Sequence, residues 1–157
     1  MASGAFILTP VDFPMYEDEL TFPETANPPT NQSPEFTWTG VPAEARTLAL
    51  AFRDLGNNAV KWIIWDMPPS LTHIPSNIEP VAMPSEVPGS SQLGSLDNQG
   101  YAGPGMGARQ YDFTLWALDT EKLPVTARMT TVQIHELIET HEISKTPPVL
   151  LRNTRNL

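Results

Sequence analysis

The sequence predicts a mainly β protein that is rich in loops. The 157-residue chain has 17 prolines spread along its length, and proline breaks helices and is excluded from central strands. Its apolar segments are short, and the clearest of them alternate with a period of two. A single segment, near the C-terminus, has the spacing of an amphipathic helix. The length suits one domain with a substantial core, and we predict a single domain over 1–157.

The first half of the chain predicts four strands, two of them in a hairpin. Residues 6–8 form a short apolar strand, and residues 36–38 form a second strand whose two aromatic side chains share a face. The apolar run at 47–53 and the segment at 60–65 flank the turn residues Gly56-Asn57-Asn58. These two segments are therefore expected to pair as a hairpin.

The second half predicts a long loop, two strands and the helix. Residues 68–99 show little periodicity, and a loop of this length is usually functional or mobile. Side chains of 111–118 alternate between two faces, as in a strand. Thr130 and Gln133 fit a capping box, and the apolar stripe that follows predicts a helix over 130–141. The last predicted strand is 149–151.

Composition and charge exclude several classes of protein. The absence of cysteine excludes disulfides, zinc–thiolate sites and a thiol nucleophile. A formal net charge of −9 argues against nucleic acid or an anionic membrane as the main partner. No apolar run is long enough to span a bilayer, and the N-terminus does not fit a signal peptide, so a cytoplasmic location is expected.

Neither a metal site nor a cofactor is predicted. In the acidic cluster Glu17-Asp18-Glu19, three consecutive side chains cannot all point at one ion. His135 and His141 are six positions apart, so they face different sides of the predicted helix. The sequence also lacks a phosphate-binding loop and a nucleophile elbow.

The candidate site lies where a glycine-rich loop meets a strand. Residues 100–107 contain four glycines and Pro104, and Arg109 follows just before the strand at 111–118. A glycine-rich loop that ends in a cation and leads into a rigid strand can hold a small anionic group. Asp54 and Lys61 are expected at the same end of the hairpin. The alternative is an ordinary loop with Arg109 solvated and a surface ion pair between Asp54 and Lys61.

The order of these motifs resembles the phosphatidylethanolamine-binding protein family, also called Raf kinase inhibitor-like, and its short bacterial branch in particular. The family's Gly-Tyr-x-Gly-Pro loop is intact at 100–104. The other matches follow in the family's order. The family's Ser-Pro-Pro-Leu-x-Trp corresponds to Ser33 to Trp38, its Asp-Pro-Asp to Asp54-Leu55-Gly56, and its His-Trp leading to Asn-x-Pro to Lys61-Trp62 running to Pro68. Its His-Arg-Tyr corresponds to Arg109-Gln110-Tyr111, and its Leu-Tyr-Ala-Leu-Asp to Leu115 to Asp119. Its late Gly-His corresponds to Thr140-His141, and its closing-strand arginine to Arg152. The resemblance covers residues 6–152.

The resemblance implies an antiparallel β-sandwich with a few short helices, one near the C-terminus, and a small anion pocket at one end. In the family this pocket takes phosphate-like head groups, using two aspartates and two histidines. Asp54 keeps the first aspartate, but Gly56, Lys61 and Arg109 replace the second aspartate and both histidines. The implied pocket is therefore more positive. Arg109 can hold a carboxylate or phosphate bidentately, which histidine cannot.

The predicted ligand-binding set combines these charges with residues of the loop and the adjacent strands. Its members are Asp54, Lys61, Trp62, Tyr101, Gly103, Pro104, Arg109 and Tyr111. The loop between the two tyrosines is shorter than the family's, which favours a wider mouth and a bulkier, partly apolar ligand. The predicted partner is a small anionic or carboxylate-bearing organic molecule. The sequence leaves open whether the protein forms a homodimer.

Two function classes follow from this set. The first, which we favour, is a binding protein for an acidic organic ligand. The second is a cofactor-independent enzyme of secondary metabolism, a cyclase, isomerase or dehydratase. In it Asp54 would be the general acid/base, and Lys61 would set its charge or polarise a carbonyl. A third, weaker alternative is a regulator similar to the family's kinase and protease inhibitors.

Overall fold

A computed structural model describes residues 4–95, 99–105 and 109–153, and these are mainly β structure. The strands, in chain order, are β1 (Ile7–Pro10), β2 (Met15–Tyr16), β3 (Glu19–Leu20), β4 (Phe36–Thr39), β5 (Thr47–Asp54), β6 (Ala59–Met67), β7 (His73–Ile74), β8 (Ser91–Gly94), β9 (Gln110–Leu118), β10 (Glu142–Lys145) and β11 (Val149–Arg152). A short 3-10 helix covers Glu24–Ala26, and the α-helix, α1, covers Thr131–Thr140. The predicted fold class is thereby confirmed.

The strands form two sheets that face each other and one small hairpin. The larger, six-stranded sheet has the order β10-β9-β5-β6-β8, with β11 also paired to β9. The smaller sheet has the order β1-β4-β7, and β2 pairs with β3. All the pairings described are antiparallel. The architecture is therefore the antiparallel sandwich that the resemblance implies.

The main core lies between the two sheets and is dominated by aromatic rings. Phe52 and Phe113, from the larger sheet, stack with ring centroids 4.4 Å apart. Phe36, from the smaller sheet, lies 4.8 Å from Phe113, and Trp38 joins the same cluster. Such offset and edge contacts add to the free energy of apolar burial. The predicted alternation of β9 is confirmed, since Tyr111 and Phe113 face this core.

A second apolar cluster covers the opposite face of the larger sheet. Ile134 and Ile138 of α1 pack there with Trp116 of β9. The helix begins with the predicted capping box, because the Thr130 hydroxyl accepts from the Gln133 N–H and the Gln133 side chain accepts from the Thr130 N–H. The predicted helix is thus confirmed to within one residue at each end.

The proline-rich segment, whose conformation the sequence left open, contributes two strands. In β8 the buried Gln92 side chain accepts the indole N–H of Trp62 at 2.9 Å. Its amide nitrogen donates to the carbonyls of Glu79 and Val81. The Gln92 side chain therefore links the segment to β6 by hydrogen bonds. Because this buried residue is polar, β8 has no apolar alternation that could be recognised in the sequence.

Candidate functional site

An ion pair between Asp54 and Arg109 forms the centre of the candidate site. Asp54 ends β5, and its register partner on β9 is Tyr111, so Arg109 comes just before the facing strand. Arg109 Nη1 donates to Asp54 Oδ2 at 2.8 Å, and the Gly56 N–H donates to Oδ1 at 2.8 Å. The Asp54 side chain is 6 % exposed and that of Arg109 is 46 % exposed. The pair therefore leaves much of the guanidinium open to solvent.

Lys61 approaches the same pair because β6 is irregular at this position. The register moves from Phe52↔Trp62 to Arg53↔Val60, so Lys61 has no partner on β5. An extra residue of this kind bends the strand and changes the direction of the side chains near it. Burial lowers the pKa of the Lys61 ammonium, Asp54 opposes this effect, and Arg109 adds to it. These influences place Lys61 in the electrostatic neighbourhood of both residues.

The aromatic members of the predicted set are buried. Trp62 and Tyr111 are wholly buried, and Tyr101 is 7 % exposed. The Tyr101 hydroxyl donates to the Ala26 carbonyl at 2.9 Å, and burial, followed by Tyr111, raises the pKa of this hydroxyl far above its ordinary value. The Tyr111 hydroxyl accepts from the Gly105 N–H at 2.9 Å. These three rings belong to the main core.

The intact loop motif packs tightly against the N-terminal part of the chain. The Gly103 N–H donates to Asn31 Oδ1 at 2.9 Å. A Cβ at Gly103 would lie 2.4 Å from the Ala26 carbonyl oxygen, so this close approach requires glycine. Pro104 is buried beside it. Gly107, the last glycine of the predicted cradle, lies outside the described residues.

An open cavity of about 620 Å³ lies against the Arg109 side of the pair. We call it the arginine cavity. Its lining residues are Leu55, Gly56, Asn57, Arg109, Gln110 and Arg152. Of the predicted set only Arg109 lines it, and neither Asp54 nor Lys61 is among its lining residues. Ligand contact by the other predicted residues stays a prediction.

Arg152 is the charged lining residue of the arginine cavity that the predicted set did not include. It ends β11 and pairs in register with Gln110, which brings it beside Arg109. Arg152 Nη1 also donates to Glu19 Oε1 at 3.0 Å. The signal available in the sequence was the match of Arg152 to the family's closing-strand arginine. The pairing of β11 with β9 brings Arg152 into the site, and only the fold shows this pairing.

The fold is an antiparallel β-sandwich, and Arg109 and Arg152 line one open cavity on it. The family model described as "Phosphatidylethanolamine-binding protein" matches residues 14–151. The chain belongs to this family. Within the described residues, no helix is long and apolar enough to cross a membrane, and no group of three or more histidine, aspartate or glutamate side chains could hold a metal ion.

Two curated relatives carry the name UPF0098 protein. The protein from Methanothermobacter thermautotrophicus strain Delta H is 37% identical over 97 residues, which cover 57% of this chain and 62% of the relative. UPF0098 protein YbcL of Escherichia coli K12 is 27% identical over 123 residues, covering 73% of this chain and 67% of YbcL. The match to the archaeal protein thus spans less than two thirds of that protein's length.

Two solved structures share the fold. The crystal structure of E. coli YbcL, described as a new member of the mammalian PEBP family, aligns with a TM-score of 0.73 at 20% identity, over 96% of this chain and 98% of YbcL. The PEBP homolog CT736 of Chlamydia trachomatis aligns with a TM-score of 0.73 at 21% identity, over 96% of this chain and 97% of CT736. At this identity the likeness establishes the fold alone.

Proposed function

We propose that this protein binds a small acidic organic molecule in the arginine cavity. The observation that carries the proposal is that two guanidinium groups, those of Arg109 and Arg152, line one open cavity. Each makes a described contact with a carboxylate through Nη1, and a guanidinium has further N–H donors for a carboxylate or phosphate. The cavity volume falls within the range typical of small-molecule sites.

Gly56 supports the choice of an anionic ligand. It lines the cavity where the resemblance places the family's second aspartate. A Cβ at this position would lie 3.8 Å from Arg109 Nη1 and 3.1 Å from Asp54 Oδ1. An aspartate here would add a carboxylate beside Arg109 and compete with an acidic ligand. Glycine leaves the guanidinium available, and its N–H stabilises Asp54 instead.

The first test measures the binding of acidic probes by calorimetry or NMR titration. O-phosphoethanolamine, inorganic phosphate and benzoate distinguish a head group, a free phosphate and an organic carboxylate. Arg109→Met is expected to weaken binding of the best probe by about tenfold or more, since it removes a charge-assisted contact. Arg46→Met is the matched control, because Arg46 pairs with the exposed Glu121 at 2.7 Å away from the cavity.

A second pair of variants tests the same site without removing an arginine. Gly56→Asp should weaken anion binding, whereas the isosteric Gly56→Asn should have a much smaller effect because it adds no charge. Equal losses in both variants would point to a steric effect. Unchanged binding in Arg109→Met and Gly56→Asp would place the ligand elsewhere and overturn the proposal.

One observation favours a cofactor-independent enzyme as a second candidate. The half-buried Lys61 has a lowered pKa next to Asp54 and Arg109, and a lysine shifted in this direction is a better proton acceptor at neutral pH. If the protein is an enzyme, Asp54→Asn and Lys61→Met should each lower turnover of the converted metabolite by about a hundredfold or more. Equal conversion by the wild type and both variants would remove the acid/base role.

A further inference from the structure

A second cavity shares Arg152 with the arginine cavity. It has a volume of about 270 Å³, and its lining residues are Tyr16, Glu17, Glu19 and Arg152. We call it the hairpin cavity, because three of these residues belong to the hairpin that β2 and β3 form. Arg152 lines both cavities. It is therefore a residue through which the hairpin can act on the proposed ligand site.

The hairpin cavity brings carboxylates to a residue of the cationic site. The charged residues that line the arginine cavity are Arg109 and Arg152, whereas the hairpin cavity adds Glu17 and Glu19. Arg152 Nη1 donates to Glu19 Oε1 at 3.0 Å. Glu19 and an acidic ligand thus offer the same kind of group to Arg152. A carboxylate this close offsets part of the charge of the guanidinium and weakens its attraction for a second anion.

The two arginines differ in how firmly their carboxylate partners are held. The Asp54 side chain is 6 % exposed and also accepts from the Gly56 N–H, so its separation from Arg109 would leave a charge buried. The side chains of Glu19 and Arg152 are 44 % and 41 % exposed. Separation of this pair returns both groups to water, at the small cost typical of a surface ion pair. Arg152 is therefore the arginine that a ligand can take from its internal partner.

The hairpin that carries Glu19 is small enough to follow such a change. β2 and β3 have two residues each, and Glu17 and Asp18 between them adopt φ angles of 48° and 66°. Positive φ angles at both central residues are typical of tight hairpin turns, and a two-stranded hairpin is marginally stable by itself. Leu20, which follows Glu19, packs against the main core. The Glu19 side chain can therefore leave Arg152 while the base of the hairpin stays packed.

We propose that Glu19 is an internal competitor for the acidic ligand of the arginine cavity. In the free protein Glu19 holds Arg152. A carboxylate or phosphate of the ligand displaces Glu19, and Arg152 then donates to the ligand. This inference rests on the proposed function, because it assigns a regulation to the same site. By linkage, the factor by which the ligand weakens the Glu19 contact is also the factor by which that contact weakens ligand binding.

The first test measures the affinity of Glu19→Gln for benzoate and for inorganic phosphate. Glutamine keeps the size of the side chain but removes the competing charge, so the affinity should rise about three- to fivefold, as the strength of a surface ion pair allows. Glu17→Gln is the matched control, because Glu17 lines the same cavity whereas Arg152 donates to Glu19. Its effect should be much smaller. Equal gains in both variants would mean that only the overall charge of the hairpin matters, and would overturn the proposal.

A double-mutant cycle tests whether Glu19 acts through Arg152. When Arg152→Met is already present, Glu19→Gln should change the affinity for the same probe by less than about twofold, because the contact that it breaks is gone. A full gain in that background would show that Glu19 acts by another route and would overturn the proposal.

The NMR signals of the hairpin test the displacement itself. When the wild type is saturated with the probe, the backbone amide signals of residues 16–19 should move toward their positions in free Glu19→Gln. Unchanged signals at saturation would contradict displacement. Binding that Arg109→Met weakens but Glu19→Gln does not alter would leave the proposed function standing and overturn the role of Glu19. Binding that both Arg109→Met and Gly56→Asp leave unchanged would overturn the two proposals together.

Discussion

Phe113→Ala is expected to lower the free energy of unfolding by about 3–5 kcal/mol. Phe113 is wholly buried at the centre of the sandwich. Its ring stacks on Phe52, contacts Phe36, and lies 6.4 Å from the rings of both Phe13 and Phe22. Truncation removes these contacts and leaves a cavity that two sheets, each anchored by backbone hydrogen bonds, cannot collapse to fill.

Urea unfolding of Phe113→Ala measures this effect, and Leu150→Ala is the matched control. Leu150 lies on β11, the strand paired with β9, and is 61 % exposed. Its truncation should change the free energy of unfolding by no more than about 0.5 kcal/mol. A loss below about 1 kcal/mol in Phe113→Ala would contradict the placement of this ring in a rigid core.

The elements that the sequence predicted are those whose side chains follow a strict local period. Residues 111–118 alternate because one face of β9 meets the main core and the other meets α1. The capping box at Thr130 and Gln133 is also local, since both hydrogen bonds join residues three positions apart. Such elements can be recognised without knowledge of their neighbours.

The elements that the sequence did not predict are held by distant partners. β8 pairs with β6, and its buried Gln92 bonds to Trp62, thirty positions away. A search for apolar periodicity does not detect a strand whose buried residue is a glutamine. Arg152 enters the site only because β11 pairs with β9 at Gln110. Lys61 was predicted at the Asp54 end of the hairpin, but the irregularity in β6 that leaves it without a partner on β5 was not predicted. Long-range pairing and register are set by the whole sheet.

The two ion pairs on opposite faces of β5 also depend on partners that are distant in the sequence. Arg53 and Asp54 are adjacent in the sequence but face opposite sides of the sheet. Each pairs with a residue next to or on β9, Arg53 with Asp112 and Asp54 with Arg109. The sequence predicted Asp54 as a site residue and assigned no role to Arg53. The pair that Arg53 makes with Asp112 became visible only in the structure.

Arg109→Met is expected to destabilise the protein by about 2 kcal/mol as well as weaken anion binding. The Asp54 side chain is 6 % exposed, so without Arg109 its charge stays buried with the Gly56 N–H as the remaining described donor. The loss stays below that of a fully buried pair because Arg109 itself is half exposed. Arg46→Met, which breaks a pair between two exposed side chains, should cost no more than about 1 kcal/mol.

The double variant Asp54→Asn/Arg109→Met separates the two roles of Arg109. Asparagine keeps an acceptor for the Gly56 N–H but carries no charge, so the double variant should recover at least half of the stability that Arg109→Met loses. Its affinity for the acidic probe should stay as low as in the single variant, because the donor group is still missing. Recovery of both would show that Arg109 acts on the ligand only by compensating Asp54. Recovery of stability alone requires direct contact between the guanidinium and the bound anion.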